Sequence, residues 1–297
     1  MWRTARRTAM AAMVVLAAAY VGAMVYLRLN ETNLVYQPHA LGGGAVQPLP
    51  DSLHLASERI ALVSRDGVKL AGIVIPAADS AAQWLLYLHG NAGNVTSSLL
   101  PLFYARVHAL GLNVAAIDYR GYGDSEGRTP SEAGIDADAR ALYEWLHAVK
   151  GVPASRIIIY GHSLGSGPAT ELALREEASG LILEGAFTSI PDRGAELYPW
   201  LPVRWIATQR FANIEKIGAV AMPKLLMHAR DDSIIPYAHG VRLFAAARAP
   251  KQWVELKGGH LRAFLADSAN FWGHVGAFAQ RLRSDLPAGE SPLPSPR

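Results

Sequence analysis

Along most of the chain, short apolar runs rich in β-branched residues alternate with longer amphipathic stretches. The runs RIALVS, VKLAGIVIP, QWLLYLHG, LNVAAIDY, RIIIYG, GLILEGA, PKLLMHA and QWVELKG read as eight strands. Such alternation is the pattern of a mostly parallel sheet covered by helices on both faces, an α/β fold. The first two runs flank Arg65-Asp66-Gly67, a turn signal that makes them an antiparallel hairpin. One helical stretch opens with Thr129-Pro130-Ser131-Glu132 and extends to about Val149. There Thr129 is expected to cap, Pro130 fits the first turn and Glu132 reaches back to close a capping box. The rhythm breaks between the sixth and seventh strands, where residues 187–220 are too many for an ordinary connection. This insertion holds Tyr198, Trp200, Trp205 and Phe211. It is expected to form a small cap, its aromatics either packing or lining an apolar pocket.

The pattern changes character at the two ends. Thr8 to Leu27 is an uncharged stretch of 20 residues, preceded by Arg3, Arg6 and Arg7 and closed by Arg28. As a helix it is long enough to cross a hydrocarbon core, and longer than the apolar region usual in a cleaved signal peptide. An uncleaved single-pass anchor is therefore expected over residues 1–28, with secretion after signal cleavage as the alternative. The arginines before the span place the N-terminus in the cytoplasm and the remainder on the periplasmic or lumenal side. Residues 29–56, with Gly42-Gly43-Gly44 and three prolines, read as a tether that begins to pack near LVYQP, Leu34 to Pro38. The α/β domain then occupies 57–286. Residues 287–297, PAGESPLPSPR, offer no apolar face and are expected to be disordered.

Composition narrows the partners. A formal charge of +3 over 297 residues, with no basic stripe interleaved with aromatics, argues against nucleic acid. The chain has no cysteine, which excludes disulfides, thiolate metal sites and a cysteine nucleophile. The hydrophobic fraction of 51% draws on the N-terminal span, so a membrane is the expected partner.

The candidate chemistry sits where the fifth strand ends. Gly161-His162-Ser163-Leu164-Gly165 follows a buried strand and precedes a helix expected from about Gly167 to Glu177, the setting of a nucleophile elbow. A serine hydroxyl needs a base within reach, and the base needs a fixed tautomer. The seventh strand runs into Arg230-Asp231-Asp232-Ser233, and the eighth into Gly258-Gly259-His260. Both loops are expected at the same sheet edge as Ser163, so Asp232 would orient His260 and His260 would take the proton from Ser163. Asp231 and Glu184 are the rival acids. The other histidines fit less well: His162 adjoins the serine, His108 and His147 lie on helical stretches, His228 is within a strand and His89 precedes the serine. For the oxyanion, the backbone N–H of Leu164 is one expected donor. The second is the N–H of Asn91, in the loop HGNAGN after the third strand.

Taken jointly, LVYQP, LHGNAGN, DYRGYGDSEGRTPSEAG, YGHSLGSGPA, EGAFTSIPD, YPWLPVRW, RDDSIIP and GGH resemble the α/β-hydrolase superfamily, and within it the Bem46-like, ABHD13-like branch of membrane-anchored serine hydrolases. The resemblance covers roughly residues 34–260. It implies the α/β-hydrolase fold, Ser163, Asp232 and His260 as the triad, Asn91 and Leu164 as oxyanion donors, and neither metal nor organic cofactor. It also implies that Asp118 to Gly127 is a structural loop beside the site. The expected activity is hydrolysis of carboxylic esters or thioesters, of small-molecule or lipid acyl substrates, through an acyl-enzyme. A serine peptidase of the same fold, or a membrane-tethered binding protein without turnover, are the other readings. Two positions depart from the relatives' pattern: Leu261 follows the histidine where a small polar residue is common, and Ser166 stands where many have glycine.

Overall fold

The computed structural model describes residues 2–127 and 129–284; the terminal segment expected to be disordered lies outside the described residues. It opens with α1 (Trp2–Val35), a helix of 34 residues. Its apolar window is not buried by the rest of the chain, and it is long and apolar enough to cross a membrane. It differs from expectation at its far end. The helix continues unbroken past Arg28 to Val35, so the first part of the expected tether is helical. The rest of that segment is not free either. Gln37 forms a parallel bridge with Ala92, Tyr36, Val46 and Leu49 are buried, and the N–H of Val46 donates to Asp124 Oδ1.

The hairpin of β1 (Glu58–Val63) and β2 (Lys69–Ile75) pairs antiparallel from Glu58↔Val74 to Val63↔Lys69. Then come β3 (Trp84–Leu88), α2 (Leu100–Ala109), β4 (Asn113–Ile117) and α3 (Glu132–Glu144). They are followed by β5 (Ile157–His162), α4 (Ser166–Arg175) and β6 (Gly180–Glu184). The insertion expected as a cap carries three short helices, α5 (Ile190–Leu197), α6 (Val203–Ile206) and α7 (Asn213–Lys216). The chain then continues through β7 (Lys224–Ala229), α8 (Tyr237–Ala246), β8 (Lys251–Leu256), α9 (Gly259–Ala266) and α10 (Ser268–Ser284).

The eight strands form one sheet in the order β1-β2-β4-β3-β5-β6-β7-β8, with β2 antiparallel to both neighbours and β3 to β8 mutually parallel. This is the sheet the sequence pattern predicts. Alternate residues of the central strands face opposite layers, as the twofold period of a strand requires. Leu86, Leu88, Ile157, Ile159, Leu181 and Leu183 pack beneath α3 and α4, while Leu85, Tyr87, Ile158, Tyr160, Ile182 and Leu225 pack against α2, α9 and α10. Burial of each such side chain contributes about 1.5–3 kcal/mol, which is why both faces must be apolar. After β3 the chain crosses to β4 on one side and returns to β5 on the other. The carboxyl ends of β3 and β5 therefore flank a crevice of the kind in which open α/β sheets bind ligands.

The start of α3 corrects the expected cap. Ser131, not Thr129, is the capping residue, and its hydroxyl accepts from the N–H of Gly134. Glu132 does not close a box on its own helix. Its carboxylate instead accepts from the N–H groups of Arg210 and Phe211, holding the cap segment to the sheet domain. A tertiary partner with two unpaired donors outcompetes the local one. The expected end near Val149 holds, through a π-helical turn from Trp145 to Val149.

Candidate active site

Ser163 occupies the corner between β5 and α4, at φ 52°, in the left-handed region. That conformation costs on the order of 1–3 kcal/mol for a residue with a side chain and persists only where its surroundings enforce it. The flanking glycines show what enforces it. A Cβ on Gly165 would stand 2.0 Å from the carbonyl oxygen of Leu88 at the end of β3, and one on Gly161 would stand 2.5 Å from the carbonyl oxygen of Gly165. The turn is thus pressed between its own helix and the neighbouring strand. It leaves the strand in a single step, with a 3-10 turn from Ser163 to Gly165 leading into α4.

Ser163 Oγ lies 2.8 Å from His260 Nε2, and His260 Nδ1 lies 2.7 Å from Asp232 Oδ2. All three residues are largely buried. An ionised Asp232 only accepts, so Nδ1 carries the ring proton and Nε2 is left to accept from the serine hydroxyl. Asp232 Oδ1 also accepts from the N–H groups of Ile234 and Ile235, at 2.9 and 2.8 Å, which fixes the carboxylate plane. Burial alone would raise the Asp232 carboxyl. The hydrogen bonds from His228 and His260 and the backbone at Ile235 outweigh it and hold the group well below the usual carboxylate range. Burial lowers the His260 imidazole below its ordinary value, despite the opposing pull of Asp232, so the ring is neutral near pH 7.

The rival acids are occupied elsewhere. Asp231 accepts from the N–H groups of Gly258 and Gly259, at 3.0 and 3.1 Å, and so anchors the loop that delivers His260. Glu184 takes the hydroxyl of Tyr160 at 2.5 Å, with its carboxyl raised by burial. His162 does not face the serine as a base; its Nε2 donates to the carbonyl oxygen of His260 at 3.1 Å.

His228 lies within β7, a position from which no part in the site is expected, yet it reaches the acid. Its Nε2 stands 3.4 Å from Asp232 Oδ2 and donates to the carbonyl oxygen of Ile235 at 2.8 Å. The signal was its place near the carboxyl end of β7, four residues before the acid.

The loop after β3 meets the elbow directly. Gly90 lies against the elbow: a Cβ there would stand 3.3 Å from His162 Nδ1 and in ordinary contact, 3.5 Å, with the serine Cβ. Asn91 and Leu164 line the same cavity as Ser163. The carbonyl of Asn91 accepts from Tyr122 Oη at 3.1 Å and from the N–H of Gln37 at 2.9 Å, while its side-chain amide donates to the carbonyl oxygen of Val35. These bonds hold the Asn91 carbonyl and side chain in place, on the C-terminal side of its N–H. The loop from Asp118 to Gly127 braces it from below: Asp118 Oδ1 accepts from the N–H of Val95, and Tyr119 Oη donates to the carbonyl oxygen of His89.

The cavity measures about 530 Å³, and most of its lining is apolar, with Phe187, Ile190 and Tyr198 from the insertion among it. The four aromatics expected in that insertion separate into three roles. Tyr198 lines the cavity and Phe211 is buried against Gly167, whereas Trp200 and Trp205 are exposed. Ser166, the departure at the elbow, is fully buried, and its hydroxyl accepts from Asn213 on α7, tying the helix that follows Ser163 to the inserted segment. Leu261 lines a smaller cavity beside His260 and Ser163. Among the described residues, no group of three or more His, Asp or Glu is placed to hold a metal ion.

Comparison with known proteins gives a consistent picture. Residues 83–214 match the α/β-hydrolase fold family. Protein bem46 of Schizosaccharomyces pombe is 33% identical over 239 residues, covering 77% of this chain and 79% of bem46. The lysophosphatidylserine lipase ABHD12 of Danio rerio is 36% identical over 185 residues, covering 56% of this chain and 48% of the zebrafish protein, so this chain spans about half of its length. Among solved structures, the Pyrococcus furiosus esterase Pf2001 superposes with a TM-score of 0.68 at 18% identity, covering 83% of this chain and 98% of the esterase. That similarity is one of fold.

Proposed function

The chain belongs to the α/β-hydrolase family, in its Bem46- and ABHD-like branch, and from that premise we propose that it is a membrane-anchored serine hydrolase acting on esters or thioesters of lipophilic acyl groups. The observation that carries the reading is the continuous relay from Ser163 Oγ to His260 and Asp232, at 2.8 and 2.7 Å, opening into an apolar cavity. Ser163 Oγ attacks the acyl carbonyl as His260 Nε2 takes its proton. The oxyanion is received by the N–H groups of Leu164 and Asn91, donors worth about 3–4 kcal/mol each in such sites. The imidazolium, stabilised by Asp232, gives its proton to the departing alcohol or thiol, leaving an acyl-serine. A water then enters, His260 removes its proton, and collapse of the second tetrahedral adduct releases the acid and returns the proton to Ser163.

Lipophilic substrates are favoured by the apolar cavity and by the adjoining apolar helix, and the name of the zebrafish relative points the same way. The arginines before the span favour an N-terminus in the cytoplasm and a catalytic domain on the far side of the membrane. The test is labelling of the full-length protein with a fluorophosphonate probe. Wild type is expected to be labelled and Ser163→Ala to be silent, with turnover of long-chain esters lost in parallel. Unlabelled, folded wild type defeats the proposal and returns the binding-protein reading.

A further inference from the structure

The apolar run of α1 ends at Leu27, and the wall of the active-site cavity begins at the same residue: Leu27, Arg28, Leu34 and Val35 line it together with Ser163 and Leu164. The helix has no break between Thr8 and Val35, so the bilayer position of one end fixes that of the other. At 1.5 Å per residue, the cavity wall on α1 reaches only about 12 Å beyond the end of the apolar run, a depth comparable to the headgroup layer.

A second observation ties the cap to this helix. Glu31, on α1, is buried, and its carboxylate accepts from the N–H of Thr208 at 2.7 Å, the hydroxyl of Thr208 at 2.6 Å and the N–H of Gln209 at 2.8 Å. Charge-assisted bonds of this kind, shielded from water, are roughly twice as strong as neutral ones. Tyr36 adds a bond from its hydroxyl to Gln209 Oε1 at 2.7 Å. Three residues before this clasp stands Trp205, 90% exposed, and five residues earlier in the same cap segment Trp200 is 59% exposed. Tryptophan left uncovered next to the end of a membrane span is placed where its amphipathic ring is most stable, at the headgroup boundary.

We infer that the cap face bearing Trp200 and Trp205 rests on the bilayer that holds α1, so that the cavity opens onto the lipid layer and its acyl substrate enters from that leaflet. The occupant of this face is the bilayer surface, because the face is continuous with a helix that leaves the membrane beside it and the Glu31 clasp leaves no slack between them. The entry route rests on the hydrolase reading above; the docking of the face does not.

The chain lacks cysteine, so Trp205→Cys provides a single labelling site. The full-length variant, carrying an environment-sensitive fluorophore, is reconstituted in dioleoylphosphatidylcholine vesicles with or without brominated phosphatidylcholine. Val149→Cys is the comparison site. It is exposed before β5, at the sheet edge opposite Ser163. A label at 205 is expected to be quenched about twofold or more by the brominated lipid, with little change at 149. Equal quenching at the two sites overturns the inference, as does a shielded label at 205 that brominated lipid does not quench, which would mark a protein contact. The measurement needs no turnover, so its failure is distinct from a failure of Ser163 to react with fluorophosphonate.

Discussion

Exchanging Asp232 for Asn alters one group and tests the whole relay. Oδ1 of Asp232 accepts two backbone N–H groups, from Ile234 and Ile235, while Oδ2 faces His260 Nδ1 at 2.7 Å. In Asp232→Asn the amide oxygen must stay on the two N–H donors, because a reversed amide would set its NH2 against both. The NH2 therefore points at His260 Nδ1, which has to become an acceptor, and the ring proton moves to Nε2. There it faces Ser163 Oγ at 2.8 Å, and the serine has no base for its proton. The same exchange in a serine protease, with geometry retained, lowers kcat about 10⁴-fold, which corresponds to about 5.5 kcal/mol of transition-state stabilisation.

Asp231→Asn is the control, since that residue serves the backbone of Gly258 and Gly259 and keeps one acceptor after substitution. Its kcat is expected to fall less than about tenfold. Steady-state hydrolysis of a p-nitrophenyl ester by full-length protein in detergent, normalised to folded protein, reads both. A relay through Asp232 is ruled out if Asp232→Asn keeps more than about a tenth of the wild-type kcat, or if Asp231→Asn loses as much as Asp232→Asn.

Two further outcomes follow from the geometry. Because burial lowers the His260 imidazole and Asp232 stays ionised, the base is neutral at pH 7 and becomes charged only as pH falls below its ordinary value of 6.5. The acid limb of kcat/KM should therefore have its midpoint below that pH, and a midpoint above it would contradict the assignment. Gly165→Ala places a Cβ 2.0 Å from the carbonyl oxygen of Leu88, a backbone atom that moves only with the loop carrying Asn91. A loss of at least about 2 kcal/mol in stability and slowed fluorophosphonate labelling are expected together, read by thermal unfolding and by gel time course.

The features legible in the chain alone are local or periodic. Strand runs such as Ile157 to Tyr160 declare burial on both faces, and the glycines around Ser163 declare a turn without room for side chains. The apolar run from Thr8 to Leu27 declares a helix long enough to span a bilayer. The meeting of Ser163, Asp232 and His260 at one sheet edge was legible because each follows a recognisable strand, and a parallel sheet brings strand ends to one edge. The tertiary structure decided which groups meet across long separations. Glu132 looked like the partner of its own helix start, yet two N–H groups of the cap segment take its carboxylate. His228 looked like a strand interior, yet its ring reaches Asp232. Glu31 sits 177 residues before Thr208, and no periodicity in either segment announces that the N-terminal helix walls the cavity. A pattern fixes which face of an element is apolar through the conformational period of its own backbone. Which remote donor satisfies a given carboxylate depends on how closed elements pack, and that is settled only when the whole chain excludes water from the junction.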